Sequence, residues 1–338
     1  MKIKSKKQRK ILIISATSIF FCLAVVYASF ETGVILKAKG NVKVTDESCF
    51  TITDNGDGTA SIDDYDKSCG TKVKIPNKIN GLTVTKLSDV PIVSSTTKGF
   101  ANKDITNVWF PDTLTYIGNM QFFADRITEI DIPDSVTYIG EQTFSGNKIE
   151  GELKLPSNIK SIGEVAFYDN RITKLVIPNT IKYLGNGAFT GNNLIGEDKY
   201  VYGRNSDGSI DYTTLNSYAS RDTSNIEIPS NIEIISHWSF GGLIIKYIEI
   251  PSNVKIIKDE AFSMSKLTFI KLNEGLTYID NRCFADSTLE EITIPSTIQT
   301  ITATAFQGSD LKTININKKE NQVSGSPWGA NATINWIG

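Results

Sequence analysis

Apolar residues return at fixed offsets along most of this 338-residue chain. In Pro251–Leu272, PSNVKIIKDEAFSMSKLTFIKL, they stand three and six places after the proline, again at Phe262, and then in a run of the form Ile/Leu-x-x-Ile-x-Ile before the next copy. Ile245-Lys-Tyr-Ile248-Glu-Ile250 and Leu289-Glu-Glu-Ile292-Thr-Ile294 show that run well. Its last part alternates apolar with polar and puts β-branched residues in the inward slots, so each copy is expected to hold a short half-buried strand. Proline then removes a donor and disfavours helix for the residue before it, ending the strand at one place in every copy. Gly118, Gly140, Gly163 and Gly185, seven places after their prolines, predict a second bend.

The copies keep register. Pro111, Pro133, Pro156, Pro178, Pro229, Pro251 and Pro295 mark them, with Asn273 and Asn317 in the same slot, at intervals of 22, 23, 22, 51, 22, 22, 22 and 22 residues. Eleven places after each mark comes an aromatic, from Phe122 to Phe306 and Trp328, and Phe100 starts the series, which makes ten turns. A fixed period in this range means one supersecondary unit stacked on copies of itself, because a single coil has too little apolar surface to fold alone.

The strings LTYIGNMQF (114–122), IPDSVTYIGEQTF (132–144), LPSNIKSIGEVAF (155–167) and IPSNVKIIKDEAF (250–262) resemble the BspA-like leucine-rich repeats of bacterial, and some protist, surface proteins. The resemblance covers roughly residues 48–338. It implies a leucine-rich-repeat solenoid, β-rich with a short parallel strand per coil of about 22 residues, used for binding and adhesion at a cell surface. It names no ligand, and no residue here matches a catalytic motif.

The rest of the chain divides around the repeats. Residues 1–28 carry six basic residues and no acid before an apolar run from Ile11 to Ala28. That is a secretion signal with a cleavage site after Ala28 or, uncleaved, a signal anchor, since the run approaches the roughly 20 residues that span a bilayer. Either way the repeats end up outside the cell, secreted or tethered to the outer face of the cytoplasmic membrane. A linker (29–47) leads to a cap and first strand region (48–99), in which Phe50-Thr-Ile and Ala60-Ser-Ile flank the turn residues Asp54–Gly58 and predict a hairpin. A solenoid needs such a cap over its first open edge, and Cys49 and Cys69 are placed to staple it in an exported chain. Five coils (100–194), a hairpin insertion (195–225), and five further coils with the C-terminal end (226–338) complete the order. The insertion is expected to stand off the surface as a second, cap-like start, with Tyr218 eleven places before Pro229 just as Tyr65 stands eleven before Pro76. Pro76 is 35 residues before Pro111, and its thirteen extra residues are assigned to a polar loop at Ser88–Lys98.

Charge and chemistry narrow the function. The formal charge is −2 and becomes −8 once the six basic residues of 1–28 are removed, which argues against nucleic acid. His237 is the only histidine, and Cys283 holds a slot that other coils fill with alanine, so neither has partners for metal binding or catalysis. No metal, cofactor or enzymatic activity is expected. The remaining candidate is the outward face of the strands, four and two places before each mark. On a regular ladder its nine residue pairs would form a ribbon about 40 Å long. Tyr247 and Phe269 then fall side by side, bordered by Glu227, Glu249 and Lys271, with Trp109 further along. Exposed aromatics among charges point to a protein or glycan contact on a host or sibling surface, made by a monomer. A rigid surface spacer without a ligand is the alternative, and an enzyme a distant third.

Overall fold

The computed structural model describes residues 44–92, 97–320 and 322–338. The signal or anchor at 1–28, most of the linker and residues 93–96 of the polar loop lie outside the described residues. Residues 44–338 form one unit, a β-solenoid almost without helix.

Two features run from coil to coil. One is a parallel ladder that a longer strand opens in each block and that two-residue strands five and six places after the marks continue. Leu82–Leu87, Tyr116–Ile117, Tyr138–Ile139, Ser161–Ile162 and Tyr183–Leu184 pair in that order before the insertion; Ile210–Tyr218, Ile234–Ile235, Ile256–Ile257, Tyr278–Ile279 and Thr300–Ile301 pair after it. The other is a column of buried rings. Tyr65, Phe100, Phe122, Phe144, Phe167 and Phe189 form its first half, and Tyr218, Phe240, Phe262, Phe284, Phe306 and Trp328 its second. Phe122 and Phe144 are 5.3 Å apart and 2° from parallel, Phe240 and Phe262 4.9 Å and 2°. The solenoid therefore has twelve turns rather than ten. Tyr65 and Tyr218 are not merely in phase with the phenylalanines: each stacks on the first of its block, at 5.2 Å from Phe100 and 5.4 Å from Phe240.

The extended run before each proline behaves differently from the expectation of one unbroken ribbon. On that side the strands form separate patches: Lys72–Lys74 with Asn107–Trp109, Glu150–Lys154 with Arg171–Val176, Tyr247–Ile250 with Phe269–Leu272, and Glu291–Ile294 with Thr313–Ile316 and Thr333–Trp336. The one 23-residue coil carries its additional residue here. Gly151 takes φ 77°, and the pairing beside it shifts by a residue between Ile172 and Lys174.

The glycines seven places after the marks do not make a bend. Their backbone is not left-handed; they are where neighbouring coils touch. A Cβ at Gly163 would lie 2.3 Å from the Glu141 nitrogen and 2.5 Å from the Gly140 carbonyl carbon, and at Gly185 2.2 Å from the Glu164 nitrogen. The bend lies further on, at left-handed residues that flank each ring: Met120 and Ala124, Gln142 and Gly146, Val165 and Asp169, Glu260 and Met264, Arg282 and Asp286. Most of these are not glycine, so composition does not show the turn.

Behind the rings runs a second polar ladder. Asn147, Asn170 and Asn192 are buried, and each side-chain amide donates to the carbonyls of its own coil's Phe and the preceding one, as Asn147 does to Phe144 and Phe122 at 3.2 and 2.7 Å. Each side-chain oxygen accepts from an isoleucine amide, of Ile127, Ile149 and Ile172 in turn. This satisfies backbone groups that the turn would otherwise leave buried and unpaired. Asp125 occupies the same slot one coil earlier. Its Oδ1 accepts from the amides of Ile105 and Lys103 at 3.0 and 2.9 Å, while its buried Oδ2 has no partner.

At the ends and the insertion, loops are folded in rather than added on. The hairpin Phe50–Asp54 with Thr59–Tyr65 pairs in parallel with Leu82–Leu87, so the cap is itself the first rung, and Cys49 and Cys69 are disulfide-bonded beneath it. The thirteen extra residues after Pro76 are not one loop. A tight hairpin between Lys78–Ile79 and Leu82–Leu87 takes the first part, turning at Asn80 and Gly81, and the rest follows Leu87. The hairpin Tyr200–Arg204 with Ile210–Tyr218 does not stand off the surface. Lys182 Nζ donates to the Asp207 carbonyl at 2.8 Å, and a Cβ on Gly208 would be 2.9 Å from the Ile181 carbonyl, so its tip lies on the preceding coil. The apolar core divides here into two clusters. Buried Asn216 bridges them, donating to the Leu184 and Gly185 carbonyls at 3.3 and 3.1 Å.

Gly163→Ala is expected to lower stability by about 3 kcal/mol in chemical denaturation, because the new methyl meets backbone that yields only if coils separate. For Asp125, burial first and then Asp104 push the carboxyl up to about 7, against the Ile105 and Lys103 amides and the Lys103 charge. The folded state then keeps a proton that the unfolded chain releases above about pH 4, so stability falls as pH rises from about 4 to 7. Asp125→Asn restores the amide donor and is expected to raise stability by about 1–3 kcal/mol at pH 8, with the gain shrinking toward pH 4; melting at both values checks it.

Candidate functional site

Outward slots on a strand are the residues the core does not claim, and in parallel register those of adjacent coils fall directly beside one another. Tyr247 pairs with Phe269 and Glu249 with Lys271. The two rings stack at 5.6 Å and 5° while staying 49% and 52% exposed, so an apolar platform of two stacked rings projects into solvent. Beside it, Lys271 Nζ is 2.8 Å from Glu249 Oε1, and Asn273 Nδ2 donates to the same oxygen at 2.7 Å. The Tyr247 hydroxyl donates to Glu249 Oε2 at 3.2 Å. The hydrogen bond from Lys271, then that from Asn273, holds the Glu249 carboxyl down at about 2. The platform is therefore bordered by charges that are already paired, and a partner is not obliged to desolvate a lone carboxylate to reach the rings.

Of the other residues singled out in the sequence, Glu227 lies on the preceding coil, where it accepts from Asn225 at 2.8 Å and its carbonyl accepts from the Tyr200 hydroxyl. Trp109 is half-buried in the N-terminal block, paired with Lys74, and does not join the platform. His237 Nδ1 is 3.0 Å from the Asp259 side chain. Cys283 is fully buried, which pushes its thiol well up, and its carbonyl accepts from the Phe262 amide. Among the described residues no three His, Cys, Asp or Glu converge as metal ligands. Nor does any described helix have the length and apolarity to cross a membrane.

A second outward file lies on the continuous ladder, where sequence reasoning did not look. Lys86, Tyr116, Tyr138, Ser161 and Tyr183 follow one another in register. Tyr116 and Tyr138 stack at 4.3 Å and 3°. The signal was present as Thr-Tyr-Ile at 115–117, 137–139 and 277–279 and Lys-Tyr-Leu at 182–184, but the tyrosine reads as one more apolar residue unless the strand is placed there.

Fold and faces together define a leucine-rich-repeat solenoid. The chain belongs to the BspA type leucine rich repeat region family, which it matches over residues 86–196 and 213–331. No curated protein matches it. Among solved structures it is similar to a leucine-rich repeat protein from Bacteroides ovatus, at 20% identity over 88% of this chain and 71% of that one, TM-score 0.44. A leucine rich cell surface protein from Faecalibacterium prausnitzii has 18% identity over 89% and 96%, TM-score 0.43. The pneumococcal vaccine antigen PcpA has 17% over 83% and 84%, TM-score 0.48.

The Glu249 carboxyl is expected to titrate well below the ordinary glutamate value in side-chain NMR and to move back toward it in Lys271→Met, since the largest cause is removed.

Proposed function

We propose that this protein is a non-catalytic binding module of the cell exterior that attaches to a protein or glycan of a host or sibling surface through the Tyr247–Phe269 platform. Membership of the family supports a binding or adhesion role, and the basic and apolar segment at 1–28 supports export. The single observation that carries the site is the half-exposed ring pair, stacked in parallel planes. Burying two rings of this size supplies much of the affinity of a typical contact, and the rigid strand pair holds them in place before the partner arrives. The paired Glu249 and Lys271 form a polar border of the kind that surrounds such a centre.

The test is saturable binding of the full-length chain to immobilised host matrix proteins, cell-surface glycans and the envelope of the producing cell. The double variant Tyr247→Ala/Phe269→Ala is expected to lose at least tenfold in affinity while melting within a few degrees of the parent, because both rings lie outside the core. Unchanged attachment of the variant would remove the platform from the reading, and no binding to any of the three would favour a passive spacer.

A further inference from the structure

The insertion leaves a rung out on the side of the coil where the extended runs lie. Leu175 and Ile177 stand three and one places before Pro178 and are only half-buried. Their counterparts Leu153 and Leu155, and Ile248 and Ile250, are buried, beside strand pairs that continue into the next coil. After Leu194 the chain runs instead into the short 3-10 turn Gly196–Lys199 and the hairpin. Arg171–Val176 is therefore the last strand of its sheet, and Tyr200–Arg204 is the last strand of another. Residues of both line a groove of about 330 Å³, within the range of ligand sites.

The groove follows a strand edge. Tyr200, Val201 and Tyr202 all line it, and consecutive residues point to alternate faces of a strand, so they share a groove only along its edge. An edge presents unpaired N–H and C=O groups, the surface on which an added strand is built. Leu175 and Ile177 give the groove an apolar wall. Charge is placed at its two ends. Glu197 and Asp198 line it just before Tyr200–Arg204 begins and Arg204 where it finishes, about 13 Å further on along an extended strand. None of the three has an ion pair among the described residues. Arg204 is half-buried, and its Nη1 donates to the Tyr202 and Gly203 carbonyls at 3.4 and 3.0 Å. A guanidinium so placed has donors left for a carboxylate that fits its fork.

We infer that this groove docks an extended segment of a protein partner, added antiparallel to the free edge of Tyr200–Arg204. An acidic residue of the segment meets Arg204, an apolar one lies on Leu175 and Ile177, and a basic one meets Glu197 and Asp198. Antiparallel pairing is the more stable per residue, and side chains on one face recur at every second position, so the segment reads acidic-x-apolar-x-basic. The reverse order sets like charges together at both ends. The site is formed by the insertion and is independent of the Tyr247–Phe269 platform.

The experiment is fluorescence anisotropy of the full-length chain with the labelled peptide Ser-Glu-Thr-Leu-Thr-Lys-Ser. Saturable binding is expected, at least tenfold weaker for the charge-reversed Ser-Lys-Thr-Leu-Thr-Glu-Ser. Methylating alternate backbone nitrogens of the peptide is expected to abolish binding in one phase and spare it in the other, as pairing along a single edge requires. Arg204→Glu is expected to lose at least tenfold and to recover with Ser-Lys-Thr-Leu-Thr-Lys-Ser. Glu197→Gln/Asp198→Asn, at exposed positions, is expected to lose at least fivefold, and it decides the matter if Arg204→Glu does not fold. Tyr247→Ala/Phe269→Ala is expected to bind like the parent, so failure here and failure of the platform are separate results. Equal affinity for the two charge orders, equal effects of the two methylation phases, parental binding by both charge variants, or no saturation up to millimolar peptide would each overturn the site.

Discussion

Everything in this molecule depends on how closely one coil lies on the next. The distance is set by the backbone hydrogen bonds of the short parallel ladder, and the buried rings then meet at 4.9–5.6 Å because they repeat at the same spacing. In the first block the backbones come so close seven places after the marks that a Cβ would lie 2.2–2.4 Å from the neighbouring coil, and Gly118, Gly140, Gly163 and Gly185 stand there. The carbonyls of the ring-bearing turn are served by buried asparagines. In the second block Ser236, Lys258, Asp280 and Thr302 replace the glycines, and Ser265 and Ser309 bond only to their own Phe carbonyl. The two blocks thus meet one constraint with different side chains, and Asn216 carries the hydrogen bonding across the point where they join.

The same constraint makes the surface chemistry. A residue on an outward slot has its neighbours chosen by register 22 places away, so a pair such as Tyr247 and Phe269 is held stacked by backbone that is already rigid. The outward faces are therefore preorganised, and a single change of residue type, such as Ser161 in a tyrosine file, alters the shape of a face without disturbing the fold beneath it.

How much was legible in advance follows from what repeats. Pro111 to Pro295, the phenylalanines and the Ile-x-Ile runs each occur often enough to define the coil, and the hairpin turns at Asp54–Gly58 and Asn205–Gly208 are local signals. The candidate pair Tyr247 and Phe269 was readable because both fall four residues before a mark. Trp109 was read into the same ribbon, but the ribbon is broken into patches, and a break in strand pairing depends on backbone spacing between coils. The left-handed turn residues Val165, Glu260 and Arg282 were hidden because their conformation is imposed by the coils on either side rather than favoured by their own type.

By itself the sequence determined the period, the rings that fill the core, the cap and the family to which the chain belongs, since these rest on side chains recurring at one interval. Only the tertiary structure decided which side of the coil carries the ladder that is unbroken within each block, that Tyr65 and Tyr218 are full turns, that the insertion lies down on Ile181 and Lys182, and that Asp125 has a buried oxygen with no partner. These are matters of distance between coils. A periodic pattern states which residues are equivalent, but how near equivalent residues come is settled when the backbones pair.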